Sequence, residues 1–349
     1  MVGPVRRAAV QHLPAALRTA RRPVPREFGQ FPTRDQYVAY LRHYAERRGV
    51  RVEHGVEVTR LQPAVGGGWQ VRTNQGERRA DHVVVATGVF NRPKPADWPG
   101  RDEFRGTLLH AVAYRNAAPF QGRDVLVVGA GSTGFEVAHE LATHGARRVR
   151  LSVRTAPNIL LRMMGGLPAD LPVPLFLHLP TAWVDRLLLF MQRRVIGDLS
   201  AHGLRPPTEG PISQLLRRGA GTAVVDREVV DAIRSGAFEV VPAVERLDPD
   251  GAVLADGKRV DVDTIIEATG YSTGLAELVG HLGVLDDREL PLDGEGAEVA
   301  PGLRFVGFVP RPGITGYVGH AARRVGREIA AGRRAPARAR ALSASSSTG

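Results

Sequence analysis

Val125-Leu-Val-Val-Gly129-Ala-Gly131-Ser-Thr-Gly134-Phe-Glu-Val-Ala-His-Glu-Leu141 is the stretch on which the reading of this chain turns. Its first four residues are apolar without a break, the pattern of a strand buried on both faces. Gly129-x-Gly131-x-x-Gly134 follows at once, and a helical pattern opens behind it. A side chain at Gly129 obstructs the tight turn, one at Gly131 keeps a pyrophosphate off the backbone, and one at Gly134 holds the helix away from the strand. The phosphates then meet free N–H groups at the helix N-terminus, where the dipole favours negative charge. Three glycines at this spacing say little alone. The strand–turn–helix setting is what makes them a dinucleotide fingerprint.

The next strand, Val149-Arg-Leu-Ser-Val153, runs out at Arg154, with Thr155 after it. An acidic residue about 20 positions past the glycines grips the ribose 2′-hydroxyl of NAD. Arg154 offers a planar fork to a 2′-phosphate instead. This reads as an NADPH site. The alternative is a structural glycine turn beside a solvated arginine.

At 349 residues the chain can bury a sizeable core and is long enough for two domains. Its formal charge is +11, and Lys94 and Lys258 are its only lysines, so nearly all the positive charge is arginine. The arginines are dispersed, in small pairs such as Arg147-Arg148 and Arg193-Arg194. No basic stripe is interleaved with aromatics, so nucleic-acid binding is set aside. The absence of cysteine excludes disulfides, thiolate catalysis, Cys-ligated metals and a dithiol flavin reductase. No histidine cluster has metal spacing. The N-terminus lacks the apolar core of a signal peptide, and no run approaches the roughly 20 apolar residues that span a bilayer. The expectation is a soluble cytoplasmic protein without a metal.

Outward from the central unit, residues 1–30 are assigned no domain: Val2 to Arg22 is Arg/Ala-rich and weakly helical, and Pro23 and Pro25 then break it. Residues 31–49 predict a helix capped by Thr33 or Asp35, with Tyr37, Leu41 and Tyr44 on one face. Residues 50–54 and 56–61 predict short strands, Gly66-Gly-Gly68 a turn, and residues 69–73 and 77–83 a hairpin. Val83-Val-Val-Ala-Thr87-Gly88 is an apolar strand running into a Thr-Gly turn. Pro93, Pro95 and Pro99 mark an extended linker. Residues 157–222 are an irregular middle. Its strongly apolar helix from Trp183 to Arg194 is expected to cover a cavity or pack on the sheet, with membrane contact the less favoured reading. Residues 229–236 predict a short helix. Residues 238–241, 252–254 and 259–262 predict hairpin strands, with Asp256-Gly257 as the turn. Thr264-Ile-Ile-Glu-Ala-Thr269-Gly270-Tyr271 repeats the strand-then-Ala-Thr-Gly pattern. Residues 303–308 are a last buried strand, 321–331 a closing helix, and 332–349 a disordered tail.

Two further motifs complete the pattern: Phe104-x-Gly106-x-x-x-His110-x-x-x-Tyr114 ahead of the fingerprint, and Ala268-Thr269-Gly270-Tyr271 behind it. Together these stretches resemble the flavin-containing monooxygenases, from about residue 31 to residue 331. Residues 203–211 look like a stretch shared with the plant auxin-type members, which oxidise indole-3-pyruvate. The resemblance implies an α/β fold of two dinucleotide-binding, Rossmann-like domains of the glutathione-reductase type. An NADPH domain (106–270) is inserted into a FAD domain (31–105 and 271–331). FAD is then reduced by NADPH and captures O2 as a C4a-(hydro)peroxide, which passes one oxygen atom to a small organic substrate. The cofactor carries the chemistry, so no catalytic side chain is implied.

By the same resemblance Ser132 and Thr133 join Gly129, Gly131, Gly134 and Arg154 at NADPH. Val58 meets the FAD adenine through its backbone, Thr87 and Gly88 pass near the FAD, and Gly307 is a further FAD candidate. Thr269 and Gly270 complete the cofactor-binding set. For Val58 and Thr87 ordinary strand and turn structure is the alternative. Of the motif residues Phe104, Gly106, His110 and Tyr114, His110 is expected to fix the link between domains rather than to do acid–base work.

One departure stands out. Members of this family open with their own strand–GxGxxG–helix for FAD, and nothing like it precedes Phe31. Either the natural chain is longer or this form is short. The FAD domain is expected to be incomplete, with exposed apolar sheet edges, lower stability than a full member and a tendency to associate. Two other functions stay open: a flavin or NAD(P)H oxidoreductase without oxygen transfer, and a non-catalytic nucleotide-binding remnant.

Overall fold

The computed structural model describes residues 25–29, 32–164, 167, 168, 176, 179–218, 222–309 and 314–332. Residues 1–24 and 333–349, where the weak helix and most of the tail were expected, lie outside them. Helix α1 (Arg34–Arg47) opens the described chain. Its N-terminus is a capping box: Thr33 Oγ1 accepts from Gln36 N at 3.3 Å, and Gln36 Oε1 accepts from Thr33 N at 2.8 Å. Tyr40 is the buried residue of α1 and rests on Phe28 and Tyr37.

Strands β1 (Val58–Pro63), β2 (Trp69–Thr73) and β3 (Gly76–Ala80) form an antiparallel meander. Residues 50–54 form no strand, contrary to the sequence pattern. Val50 and Val52 stay exposed at 52% and 54%, and no described strand pairs with them. Alternation alone cannot hold a strand that has no neighbour to hydrogen-bond.

Then come β4 (Val83–Val85), β5 (Arg92–Pro93), β6 (Thr107–His110), β7 (Asp124–Val128), α2 (Ser132–Thr143) and β8 (Arg148–Ser152). The middle of the chain supplies β9 (Ile159–Leu161), β10 (Met163–Met164), β11 (Leu167–Pro168), α3 (Thr181–Val195), α4 (Pro211–Arg218), β12 (Ala223–Val225) and α5 (Arg227–Ser235). Strands β13 (Glu239–Val241), β14 (Val244–Asp248), β15 (Gly251–Leu254), β16 (Arg259–Asp261) and β17 (Thr264–Glu267) follow. The described chain closes with β18 (Tyr271–Ser272), α6 (Leu275–Val279), β19 (Glu295–Ala300), β20 (Leu303–Val306) and α7 (Ile314–Ala330).

The centre is a five-stranded, all-parallel sheet in the order β13-β8-β7-β17-β6. Its middle strand is the quoted apolar run. Successive side chains of a strand point to opposite faces, and both faces here are covered. Val125 and Val127 pack with Phe135 and Leu141 of α2. Leu126, between them, joins Leu247 and Leu254 of the antiparallel β14-β15-β16 sheet on the other side. That is why the run carries no polar residue.

Two strand expectations are corrected here. Residues 238–241 do not belong to a hairpin; β13 is the parallel edge strand beside β8, reached by the α5 crossover. The true first strand of the meander is β14, where Val244 and Leu247 are buried and the residues between them face outward. A short apolar run fits either sheet, and only the preceding helix settles which. The closing helix also starts earlier than expected, at Ile314, because Gly316 and Gly319 disguise a helical pattern.

Outside this sheet, β4 runs parallel to β20, which pairs antiparallel with β19, in the order β19-β20-β4. Among the described residues β4 is an edge strand, and Val84 on it is 41% exposed. Beneath the pair lie Leu61, Trp69, Leu303 and Phe305. Arg304, 1% exposed, bonds Glu298 at 3.0 Å and Glu328 at 2.9 Å, so its charge is paired inside the fold. The chain passes between the two sheets through β5 and β18, which pair antiparallel.

Candidate cofactor site

The register of the parallel sheet brings its C-terminal ends into one line. Val241, Ser152, Val128, Glu267 and His110 are successive neighbours across the five strands. Everything that leaves those ends meets along one edge: the glycine turn, Arg154, the Thr269-Gly270 corner and His110. In open α/β sheets this edge, at the strand where the chain's winding reverses, is where ligands bind.

The three glycines answer to three different constraints. Gly129 has φ +117°, and a Cβ there would stand 2.4 Å from Ala268 O. A Cβ on Gly134 would stand 1.8 Å from Gly129 O, so the helix can lie this close to the turn only with glycine. Gly131 is different. Its φ is −83°, which any residue adopts, and a Cβ there meets no atom within 4 Å. Neither strain nor packing asks for glycine at 131. Gly131 is also the N-cap of α2, and no side chain caps the helix there. The first N–H groups of a 12-residue helix therefore open onto free space at its positive end.

Ser132 faces partly inward, and its Oγ accepts from Val224 N at 2.9 Å, tying α2 to β12. Thr133 is exposed on the first turn. Arg154 stands two residues beyond β8, exposed, with no carboxylate among the described residues within ion-pair distance. Thr269 Oγ1 donates to Lys94 O at 2.6 Å, so its hydroxyl holds the linker. Gly270 O accepts from both Lys94 N at 3.0 Å and His110 Nε2 at 3.0 Å.

The Phe104–Tyr114 motif turns out to be built into the packing. A Cβ on Gly106 would meet Phe104 Cζ at 2.4 Å and Asp263 O at 2.6 Å, so the ring of Phe104 requires the glycine two residues on. His110 uses both ring nitrogens, Nδ1 accepting from Val112 N at 3.2 Å and Nε2 facing Gly270 O. The Tyr271 ring meets it edge-on at 5.1 Å. Tyr114 stacks on Phe120 at 5.7 Å, and burial, with Glu140 beside it, pushes its phenol far above the usual range.

Thr87 and Gly88 leave the end of β4, and Gly307 leaves the adjacent end of β20, so these three emerge together at the edge of the second sheet. Val58 does not join them by pairing. It begins β1, opposite Thr73, in a separate sheet, and is 42% exposed.

Sequence reasoning missed the pair that locks the linker to the sheet. Glu267, 1% exposed, takes two bonds from Arg101, Nη1 to Oε1 at 2.8 Å and Nη2 to Oε2 at 2.9 Å, and one from Ala96 N at 2.8 Å. The visible signal was a lone acid in the apolar run Thr264-Ile-Ile-Glu267. Nothing along the chain pointed to Arg101 as its partner. No group of metal-ligating side chains occurs among the described residues. No helix among them is long and apolar enough to cross a membrane.

A glycine corner at the C-terminal edge of a parallel sheet, opening a helix whose N-terminus carries no side-chain cap, is the geometry of a dinucleotide-binding fold. Residues 11–159 match the family model described as pyridine nucleotide-disulphide oxidoreductase. The chain is 38% identical over 299 residues to indole-3-pyruvate monooxygenase YUCCA1 of Oryza sativa subsp. japonica, covering 83% of this chain and 72% of that protein. At 31% identity over 307 residues it matches the probable indole-3-pyruvate monooxygenase YUCCA3 of Arabidopsis thaliana, covering 84% and 70%. The chain belongs to the flavin-dependent monooxygenase family. The fold agrees with a solved flavin-containing monooxygenase from Stenotrophomonas maltophilia, with a TM-score of 0.66 at 21% identity over 93% of this chain and 85% of that one. It also agrees with cyclohexanone monooxygenase from Rhodococcus sp. Phi1, solved bound to NADP+, with a TM-score of 0.68 at 17% identity over 94% and 76%.

Proposed function

We propose that this chain works as an NADPH- and FAD-dependent monooxygenase that places one oxygen atom of O2 on a small organic substrate. The names of the curated relatives favour an aromatic keto acid. The observation that carries the nucleotide half is Gly131, where a side chain would meet no protein atom and the N-terminus of α2 carries no side-chain cap. The N–H groups of the first turn of α2 receive the NADPH pyrophosphate, with Thr133 beside them, and Arg154 takes the 2′-phosphate. His110 holds the Gly270 corner in place. Bound FAD, reduced by NADPH, supplies the oxygen chemistry. The protein's part is to position the two cofactors and to exclude water.

The domains are read as 106–270 for NADPH, and 31–105 with 271–331 for FAD. The fit to FAD is partial. Thr87, Gly88 and Gly307 give one wall at the β4–β20 edge, while no second strand–GxGxxG–helix unit occurs in the sequence. On the flank of β4, Val84 is exposed among the described residues. The test compares this chain with the same chain fused at its N-terminus to a FAD-type βαβ unit. The fusion is expected to carry a flavin spectrum that NADPH bleaches without oxygen, and to melt higher. Stoichiometric flavin and an equal melting temperature in the unfused chain show that the added unit is not needed to hold FAD. Flavin that NADPH never reduces in either form refutes the proposed activity.

A separate prediction concerns Arg154. Replacing it by alanine is expected to weaken NADPH by about 1.5–3 kcal/mol and NADH hardly at all, the size of a lost hydrogen bond between charged groups. Titration of both nucleotides against wild type and variant checks this. An unchanged preference for NADPH removes Arg154 from the site.

A further inference from the structure

Helix α3, expected to cover a cavity or pack on the sheet, buries one face and leaves the other exposed among the described residues. On α3 the side chains of Trp183, Leu187 and Phe190 are 77%, 43% and 55% exposed. Arg186, Arg193 and Arg194 are exposed as well. At 3.6 residues per turn these six positions fall within an arc of about 120°. The opposite face is buried through Val184, Asp185 and Leu188. Asp185 is the only acid of the helix, and it points inward, accepting from Ile212 N at 2.7 Å and Ser213 N at 3.1 Å at the start of α4. The outward face is therefore apolar and cationic, with no negative charge of its own. Arg194 lies over the Phe190 ring at 5.3 Å.

We propose that the outward face of α3 docks this protein on an anionic lipid surface, lying in the interface without crossing it. Contiguous exposed aromatic and aliphatic side chains on a soluble fold mark a contact surface. A helix with Trp, Leu and Phe on one arc and arginines along its edge has the composition of an interfacial helix. The rings enter the headgroup layer, and the guanidinium groups reach lipid phosphates while their stems stay along the apolar surface. An overall charge of +11 adds attraction of the same sign. The inference stands independently of the cofactor reading above.

The tryptophans make the test clean. Trp69 and Trp98 are buried at 3% and 9% exposed, so Trp183 is the one that reports on solvent. Adding phosphatidylcholine vesicles containing phosphatidylglycerol is expected to shift emission to the blue and to co-sediment the protein. Brominated lipid is expected to quench the shifted emission. Binding is expected to be roughly 100-fold tighter than to pure phosphatidylcholine, from three arginines near the surface, and to fall with salt. The triple variant R186E/R193E/R194E should lose that preference at an unchanged melting temperature, because all three side chains are exposed. Absence of any shift, quenching or co-sedimentation with wild type overturns the proposal. So does equal binding to pure phosphatidylcholine. A blue shift that rises with protein concentration without vesicles assigns the face to a second copy of this chain and overturns it too.

Discussion

Gly131→Ala is expected to leave the melting temperature unchanged while weakening NADPH about 10- to 100-fold, the loss of one good phosphate contact. The backbone at 131 is ordinary and the space beside it is open, so the folded protein has no quarrel with a methyl group. A pyrophosphate held on that backbone, as proposed, would collide with it. Gly134→Ala is the control with the opposite signature. Its Cβ would overlap Gly129 O at 1.8 Å, so α2 must move off β7, at a cost of about 1–3 kcal/mol or more. Thermal melts and NADPH titrations on the two variants separate the cases. If Gly131→Ala binds NADPH as well as wild type does, no phosphate comes near that backbone, and the nucleotide assignment falls with it.

The second large effect is expected at Arg101. Its guanidinium is 27% exposed, while the Glu267 carboxylate it clasps is 1% exposed. Arg101→Ala leaves that carboxylate buried with only Ala96 N for company. Breaking a buried pair from one side typically costs about 3–5 kcal/mol, mostly through the charge left behind. Glu267→Gln should cost clearly less. The amide oxygen can keep the bond from Ala96, and Arg101 can turn toward water. Urea unfolding at constant m-value measures both variants. Equal losses, or the reverse order, would show that the pair is not desolvated as the geometry indicates. Because the pair joins the linker to the end of β17, Arg101→Ala should also loosen the Lys94–Gly270 contacts at the cofactor edge.

Much of the central sheet could be read along the chain. The unbroken apolar run Val125–Val128 reads as a strand covered on both faces, and β7 is that, while β17 carries the signal only in Ile265-Ile266, between Thr264 and Glu267. The helix start was readable only to Thr33 or Asp35, and the capping box with Gln36 places it at Thr33. What stayed hidden depends on residues far apart in sequence. Glu267 and Arg101 are 166 positions apart. Trp69 Nε1 donates to Pro301 O across 232. Residues 50–54 alternate like a strand, and nothing local could say that no partner strand would be beside them. At the candidate site the glycines and their three separate roles were legible from spacing, and the structure added the atoms that Gly129 and Gly134 side chains would strike. The Phe104–Tyr114 motif was visible as a pattern, while the collision between a Gly106 side chain and Phe104 was not.

The corner at Ala268-Thr269-Gly270 is touched from three directions, by the turn at Gly129, by Lys94 and by His110. Anyone building chimaeras from this chain inherits a rule from that arrangement. A transplant of residues 106–270 would carry the turn and the histidine but leave Lys94 behind in this chain. The borrowed piece would then meet a foreign linker at the point where its own backbone is most tightly held. Moving the seam back to Pro93 and forward past Ser272 keeps the three contacts in one parental pedigree.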